Sequence, residues 1–220
     1  MPAITKPNQH FDISLYTGNG STQSITGLNF QPGFSWLKTR STTYSHRLVD
    51  SVRGATKLLY TDLTNSESTD AASFTSFNSD GFSLGSAAGT NESGQTFVSW
   101  NWKAGSTATN TSGSITSQVS ANQTAGFSVV TYTGNGSSSQ TIGHGLGTTP
   151  SMIIVKGRTG GAGSTNWMVY NKNLNSGTNP GQYYLMMNSD AAQGGLSSVW
   201  QDTAPTSTVF SVGSSSETNY

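Results

Sequence analysis

The feature that most constrains this chain is an internal duplication. Residues 16–21 read YTGNGS, and residues 132–137 read YTGNGS again. A run of six identical residues with ordered matches on both sides is hard to obtain by chance, even in a biased composition. Because self-similarity along a chain is the signature of repeated structural units, the sequence predicts two tandem units of one design.

The matches that flank this run keep the same order. Lys38-Thr39-Arg40 corresponds to Lys156-Gly157-Arg158, and the second copy ends at Tyr220, about where the counterpart of residues 92–103 would begin. We therefore expect the second copy to lack its last strand, either because the chain is a fragment of a longer protein or because another chain supplies that strand. A missing strand would leave an open sheet edge, which proteins normally cover.

The composition favours strands and turns over helices. Half of the 220 residues are Ser, Thr, Gly or Asn, whereas only 9% are charged. Surface helices depend on residues such as Glu, Lys, Ala and Leu, while Ser, Thr, Asn and Gly favour turns and caps. Disorder is the competing interpretation, but 32% of the residues are hydrophobic and 10% are aromatic, which is enough to build a core. We expect an all-β fold.

Charge and hydropathy exclude several classes of partner. The formal net charge is zero, and there is no basic run, which argues against a nucleic-acid partner. No stretch approaches 18 consecutive apolar residues, so we expect no membrane insertion. The chain has no cysteine, which excludes disulfides and thiolate metal sites. The sequence predicts no metal and no cofactor.

Both copies contain strand-like segments. FDISLYTG and FSVVTYTG alternate with a period of two, and each runs into an Asn-Gly pair, which is typical of a tight turn. We expect a first antiparallel β-sandwich in residues 1–105, a linker in 106–113 and a second β-sandwich in 114–220 that lacks its last strand. The only helix that the sequence predicts is one short turn within residues 66–77. Further strands are predicted at 34–39, 47–51, 57–61, 81–85, 95–103, 151–156, 167–171 and 183–187.

Two motifs of serine chemistry do not fit their predicted context. Ser83 lies in a Gly-x-Ser-x-Gly match, but a nucleophile elbow needs a strand-turn-helix, and Ser83 sits in the middle of a predicted strand. Ser35 and Lys38 have the spacing of a Ser-x-x-Lys pair, but residues three apart on a strand point to opposite faces. We therefore expect no catalytic residues and no enzyme. A hydrolase that acts on polysaccharide remains the lesser alternative.

The remaining polar candidates are assigned to turns. His10, His46 and His144 have no second histidine or carboxylate at metal-ligand spacing, so we expect them in surface or turn positions. The segments 78–81 and 188–190 resemble Asx turns, and calcium binding there is left open. The ten carboxylates are scattered, and the acids of one copy do not recur in the other.

The five tryptophans are candidates for stacking on sugar rings. Trp100 and Trp102 share one face of a predicted strand with Val98, so we expect them in the core, and Trp36 is expected there as well. Trp200 lies outside any alternating run and is the tryptophan that we expect to be exposed. Trp200 and Asp202 are therefore the predicted ligand-binding residues.

Long strings of the sequence resemble a known kind of domain. YTGNGSTQSITGLNFQPGFSWLKTRS, FTSFNSDGFSLG and TFVSWNWKAG in the first copy, and SSVWQDTAPTSTVFSVG in the second, are similar to a repeat found in tail-fibre and structural proteins of tailed bacteriophages. The resemblance covers nearly the whole chain. It implies tandem β-sandwiches of the jelly-roll or concanavalin/laminin-G type and supplies no catalytic residue.

The resemblance also implies a location and partners. It points to the virion, with other virion proteins and a homotrimer as expected partners. The first hypothesis is a tail-fibre or receptor-binding segment that contacts glycans of the host surface through its loops. The alternative is a capsid or tail decoration and assembly module that binds no glycan.

Overall fold

The computed structural model describes residues 4–159 and 165–220. Within these residues the protein is all-β and consists of several antiparallel sheets, as the composition predicts. The helices are two four-residue α-helices and three short 3-10 helices in the described chain. None of the described helices is long and apolar enough to cross a membrane.

The chain divides into two compact units. Unit 1 consists of the described residues through Thr61 together with Glu67–Ser106, and unit 2 consists of Asp62–Ser66 and Thr107–Tyr220. The boundary after Ser106 lies next to the predicted one. The short segment Asp62–Ser66 belongs to unit 2, which the sequence does not predict.

Unit 1 contains a four-stranded sheet, a three-stranded sheet and a two-stranded ladder. In spatial order these are β1-β9-β3-β4, β2-β8-β7 and β5-β6. A short helix, α1 (Ala88–Asn91), precedes β9. The strands are β1 (Phe11–Thr17), β2 (Gln23–Thr26), β3 (Phe34–Thr39), β4 (Arg47–Asp50), β5 (Lys57–Leu58), β6 (Ser68–Thr69), β7 (Phe74–Asn78), β8 (Gly81–Leu84) and β9 (Thr96–Trp102).

The core of unit 1 receives side chains from both of its larger sheets. Alternation places every second residue of a strand on the same face. On β3 the buried residues are Ser35, Leu37 and Thr39, and on β9 Phe97 is fully buried. The buried hydrophobic cluster is Tyr16, Ile25, Leu28, Phe30, Leu37, Val49, Leu58, Phe74, Phe82, Leu84 and Phe97.

Unit 2 has three sheets. Their spatial orders are β10-β11-β12, β13-β18 and β14-β15-β16-β17, and a short helix, α2 (Ser197–Trp200), precedes β18. The strands are β10 (Thr107–Asn110), β11 (Ser117–Asn122), β12 (Phe127–Tyr132), β13 (Gln140–Gly143), β14 (Met152–Lys156), β15 (Trp167–Asn171), β16 (Tyr183–Met186), β17 (Gly194–Gly195) and β18 (Val209–Val212). The buried hydrophobic cluster is Ile115, Ile142, Val155, Met168, Tyr170, Val199, Trp200, Phe210 and Val212.

The two units share a strand pair in the same register. In unit 1 Ile25 lies opposite Phe82 where β2 pairs with β8, and in unit 2 Ile142 lies opposite Phe210 where β13 pairs with β18. The duplication in the sequence therefore corresponds to equivalent pairing in the two units.

A buried asparagine fastens the repeated TGNGS loop in unit 1. The side-chain amide of Asn91 donates to the carbonyl of Gly85 at 2.8 Å and to the carbonyl of Ser21. Its Oδ1 accepts the backbone N–H of Asn19 at 2.9 Å. Since Asn91 is fully buried, these bonds compensate the cost of removing the amide from water. We call this arrangement the asparagine clasp.

Unit 2 repeats the asparagine clasp with Asn219. Its amide donates to the carbonyls of Ser137 at 2.7 Å and Gly213 at 2.8 Å, and its Oδ1 accepts the N–H of Asn135 at 2.9 Å. A tyrosine accompanies each clasp: Tyr16 donates to the carbonyl of Thr90, and Tyr132 donates to that of Thr218. Burial raises the pKa of both tyrosine hydroxyls far above the usual range.

The structure corrects two predicted segments. The predicted helical turn in 66–77 is absent, because β6 and β7 occupy half of this segment, and the aromatic rings of Phe74 and Phe77 pack in or against the core. The predicted linker at 106–113 contains β10, which pairs with β11. In both places, pairing with a neighbouring strand outweighs the local sequence preference.

Candidate functional site

The predicted ligand-binding residues, Trp200 and Asp202, do not share a surface. The expectation that Trp200 is exposed is wrong: it is 1% exposed and lies in the core of unit 2, with its ring 6.2 Å from that of Tyr170 in an edge-on arrangement. It lies outside an alternating run because it ends the short helix α2, which turns Val199 and Trp200 inward. Asp202 is exposed and has a left-handed backbone (φ 50°).

Aromatic side chains instead gather on the outer face of the four-stranded sheet of unit 1. Phe11 and Phe34 lie on either side of Trp102 in the register, with ring centroids 4.7 and 5.2 Å from that of Trp102. Trp36 lies opposite Trp100, and their centroids are 6.1 Å apart. All five side chains are half-buried. We call this surface the aromatic face.

The predicted core positions of Trp36, Trp100 and Trp102 are wrong. The strand β9 turns Phe97, Ser99 and Asn101 to the core and its tryptophans outward. In this orientation β9 buries polar side chains and leaves its tryptophans outside. The arrangement is possible because the buried polar groups form hydrogen bonds with one another.

Hydrogen bonds within β9 and between β9 and β3 satisfy the polar groups that point inward. The hydroxyl of Ser35 donates to Oδ1 of Asn101 at 2.8 Å, and the amide of Asn101 donates to the hydroxyl of Ser99 at 3.0 Å. All three side chains are fully buried. Hydrophobicity alone therefore gives the wrong face of β9, and these small polar groups decide the orientation of the strand.

A histidine fixes the ring of Trp36. The indole N–H of Trp36 donates to Nδ1 of His46 at 3.0 Å, and the two ring centroids are 5.8 Å apart. Lys38 lies on the same face of β3, and its ammonium donates to the carbonyl of Tyr44 at 2.8 Å. These contacts hold the indole in one orientation before any ligand arrives.

Two aliphatic residues extend the aromatic face along β1. Ile13 is 48% exposed and lies in the same row as Trp100 and Trp36, and Leu15 is 66% exposed in the next row. An exposed, contiguous apolar surface on a folded domain typically marks an interaction site. Aromatic rings on such a surface can stack against the apolar face of a sugar ring or against apolar protein side chains.

Unit 2 has a shallow cavity of about 400 Å³ on the outer face of the sheet β14-β15-β16. Its floor is apolar, and its wall is formed by uncharged amide and hydroxyl side chains from two loops. The lining residues are Met152, Val169, Asn171, Asn173, Leu174, Asn175, Ser176, Leu185 and Gln193.

The wall of this cavity contains unusual backbone. Asn175 and Ser176 both have positive φ, at 49° and 55°, which is costly for residues with a side chain. The N–H of Asn175 donates to Oε1 of Gln193 at 3.0 Å, and its amide donates to the carbonyl of Thr178 at 2.9 Å. The wall is thus held by its own hydrogen bonds, and the site offers an uncharged surface to a ligand.

The serine in the Gly-x-Ser-x-Gly match lies in mid-strand, as predicted. Ser83 belongs to β8, and its hydroxyl contacts the hydroxyl of Ser24 at 3.1 Å and the amide of Asn78 at 2.8 Å. Neither partner is a base that would activate the hydroxyl as a nucleophile.

His144 lies in the Gly-rich turn, as predicted, but it is buried and not at the surface. It is 3% exposed, its Nδ1 accepts the N–H of Leu146 at 3.2 Å, and its Nε2 lies 3.3 Å from the carbonyl of Thr206. Burial lowers its pKa, and the carbonyl of Thr206 opposes this effect in part. The Gly-rich turn around His144 folds into the core because these contacts satisfy both ring nitrogens.

The sequence does not predict the role of one lysine in unit 2, Lys156. The ammonium of Lys156 donates to the carbonyls of Thr64, Gly157 and Thr165, at 2.9, 3.0 and 2.9 Å. Burial lowers its pKa to about 8, although the nearby carboxylate of Glu217 acts in the opposite direction. Because its partners are backbone carbonyls, Lys156 anchors the segment Asp62–Ser66 within unit 2.

The described part of the chain has no group of three or more His, Asp or Glu side chains that could hold a metal ion. In the segment 78–81 the Asp80 carboxylate accepts the N–H groups of Gly27 and Asn29 at 3.0 and 2.6 Å, so it bonds to a loop distant in sequence and not to its own turn as an Asx turn would.

Comparison with known proteins gives a family and no function. No curated protein and no solved structure matches the chain. A family model described as "Domain of unknown function (DUF7483)" matches residues 6–220, which is nearly the whole sequence. The chain therefore belongs to the DUF7483 family.

Proposed function

We propose that this chain is a structural and binding module of a bacteriophage virion, of the tail-fibre or receptor-binding type, which contacts glycans on the host surface. In this proposal the two units are tandem antiparallel β-sandwiches of the jelly-roll or concanavalin type. The core of unit 1, which takes side chains from both of its larger sheets, supports the sandwich assignment. The resemblance of the sequence to repeats of tailed-phage proteins supports the virion assignment.

The aromatic face is the observation that carries glycan binding. It presents Trp36 and Trp100 side by side on a rigid sheet, and the hydrogen bond to His46 fixes one of the two indoles. A rigid pair of rings loses little conformational entropy when a ligand stacks on it. Uncharged amides around the cavity of unit 2 offer a second surface for neutral hydroxyl groups.

The second candidate function is a decoration and assembly module that binds other virion proteins and no glycan. The exposure of Ile13 and Leu15 beside the aromatic face favours it, because exposed aliphatic side chains in a contiguous apolar patch are typical of protein interfaces. Such a module would bury the same face against a neighbouring subunit. A homotrimer is the assembly that we propose in both cases.

Binding of the purified chain to host cells and to a glycan array tests the first candidate. We expect Trp36→Ala and Trp100→Ala to reduce glycan binding at least tenfold, whereas Leu196→Ala, a change at a half-exposed residue of unit 2, leaves binding unchanged. Absence of binding to any glycan or host cell by the unaltered chain would reject the glycan-binding proposal. Depolymerisation of a host polysaccharide would instead indicate a hydrolase.

A further inference from the structure

In unit 1 one strand fills the position between two others. The strand β9 pairs antiparallel with β1 on one side and with β3 on the other, so that Phe97 lies opposite both Tyr16 and Thr39. The N–H of Gly18 donates to the carbonyl of Gln95 at 2.8 Å where β9 begins. This position therefore closes the sheet and covers the core.

In unit 2 the corresponding position is open among the described residues. The counterparts of β1 and β3 are β12 and β14, since Tyr132 repeats the contact of Tyr16 and Lys156 corresponds to Lys38 in the duplicated sequence. The strand β12 pairs only with β11, and β14 pairs only with β15. Each of these strands thus has one edge that no described strand covers.

Both open edges border the same core. Val130 on β12 and Ile153 on β14 pack against the buried cluster of unit 2, to which Val155 belongs. Neither Val130 nor Ile153 is fully buried. Val155 is 9% exposed, whereas its counterpart in unit 1, Leu37, is 1% exposed. The core of unit 2 is therefore less completely covered along this line.

Tyr132 lacks one of the two ring contacts that its counterpart Tyr16 makes. In unit 1 Tyr16 meets Phe82 edge-on at 6.4 Å and stacks on Phe97 of β9 at 5.2 Å, with ring planes 8° apart. In unit 2 Tyr132 meets Phe210 edge-on at 6.2 Å, and no described aromatic ring takes the place of Phe97. Tyr132 is accordingly half-buried, while Tyr16 is buried.

We propose that the position between β12 and β14 is a docking site for one extended peptide strand from outside this 220-residue sequence. The strand pairs antiparallel with both edges, as β9 does in unit 1. Addition of a strand to an open sheet edge is an established mode of peptide recognition, in which the main chain provides affinity and alternate side chains provide specificity. The proposal does not depend on glycan binding.

The structure also specifies which side chains the strand turns inward. An aromatic residue fits opposite Tyr132, in the place that Phe97 takes opposite Tyr16. At the next two inward positions unit 1 has Ser99 and Asn101, and Asn101 is paired with the hydroxyl of Ser35.

Unit 2 replaces the polar partners of those positions with apolar ones. In the duplicated sequence Ile153 corresponds to Ser35, and Val130 corresponds to Ser14. A buried amide at the position of Asn101 would lose its hydrogen bond there, which is unfavourable. The occupant therefore has aliphatic residues at these two positions.

The outer side of the site is apolar as well. Met152 is 54% exposed and Ile154 is 43% exposed, and they correspond to Phe34 and Trp36, which in unit 1 contact the tryptophans of β9. A second copy of this chain is not the proposed occupant. Its own β9 is paired on both sides, and Phe97 is fully buried, so donating that strand would require unit 1 to open.

Calorimetric titration of the full chain with three synthetic peptides tests the proposal. The first has the sequence of residues 92–103, ESGQTFVSWNWK; the second carries S99V and N101V; the third adds F97A to the second. We expect the second peptide to bind with a stoichiometry of one and at least tenfold more tightly than either of the others.

Variants of the chain locate the binding. Ile153→Asp places a charge at the inner side of the site, and we expect it to lower the affinity for the second peptide at least tenfold. We expect Leu196→Asp to leave that affinity unchanged. Circular dichroism checks that the variant is folded, and Val130→Asp replaces Ile153→Asp if it is not. Failure of the second peptide to bind, or equal affinity of the F97A peptide, would overturn the proposal. So would a dimer of the chain that only Ile153→Asp dissociates.

Discussion

Two buried asparagines show how single residues define this fold. Asn91 and Asn219 take equivalent places in the two copies, and each fastens a TGNGS loop through three or more hydrogen bonds. The close approach leaves no room at the glycine before each loop asparagine, because a Cβ on Gly18 or Gly134 would lie 2.2 or 2.5 Å from a backbone oxygen. This explains why both copies have glycine at this position of the run YTGNGS.

The asparagine clasp predicts equal sensitivity in the two units. We expect Asn91→Ala and Asn219→Ala each to lower the free energy of unfolding by ~3 kcal/mol, since several buried polar groups lose their partners at a cost of about 1–3 kcal/mol each. Urea unfolding measures the change. Asn173→Ala, at an exposed position, is the control. A loss no larger than that of the control would show that the clasp is not needed.

The buried histidine predicts a pH dependence of stability. The folded protein holds the pKa of His144 below its usual value, so the unfolded chain binds a proton more readily. Stability from this residue is complete above about pH 6.5 and falls as the pH drops below that value. We expect the midpoint of urea unfolding to decrease between pH 7 and pH 5, and this decrease to be smaller in His144→Gln. An equal decrease in both proteins would contradict the assignment.

The tryptophans mark the limit of sequence reasoning at this scale. The alternation along β9 is evident in the sequence, but which face is buried is not, because the hydrogen bonds of Asn101 and Ser35 join strands that are distant in sequence. Trp200 was misplaced for a different reason. A four-residue helix contributes no periodic pattern that would reveal its buried side.

At the scale of elements, β9 organises unit 1. It pairs along its whole length with β1 and along the whole of β3, and its side chains contribute to both the core and the aromatic face. Long strands with alternating residues were predicted well: 34–39 and 167–171 coincide with β3 and β15. The short strands β6 and β10 were missed, because two to four polar residues contain no periodic signal and form strands only through pairing.

The double role of β9 predicts different effects from its two faces. Phe97→Ala should lower the free energy of unfolding by about 3–5 kcal/mol, as expected for removal of a fully buried aromatic ring. Trp100→Ala, on the half-buried outer face, should cost less and should affect binding instead. Urea unfolding of both variants provides the comparison. A larger loss of unfolding free energy in Trp100→Ala than in Phe97→Ala would contradict the assignment of Phe97 to the core face.

At the scale of the whole molecule, the duplication accounts for most of what the sequence predicts. It gives the number of units, the boundary near Ser106 and the equivalence of the strand pairs β2–β8 and β13–β18. It does not predict that Asp62–Ser66 belongs to unit 2, because that assignment rests on contacts such as the hydrogen bond from Lys156 to Thr64. The abundant small polar residues lie mainly on the surfaces and in the turns of two units that have aromatic residues in their cores.

The central claim is that unit 2 repeats the plan of unit 1 with one strand position open. Amide hydrogen exchange in the free chain tests it directly, by comparing β3 with its counterpart β14. Since residues Phe34 to Leu37 of β3 are paired on both sides, their amides should all be protected. In β14, which among the described strands pairs only with β15, every second amide should exchange at least tenfold faster. Uniform protection along β14, equal to that of β3, would contradict the claim.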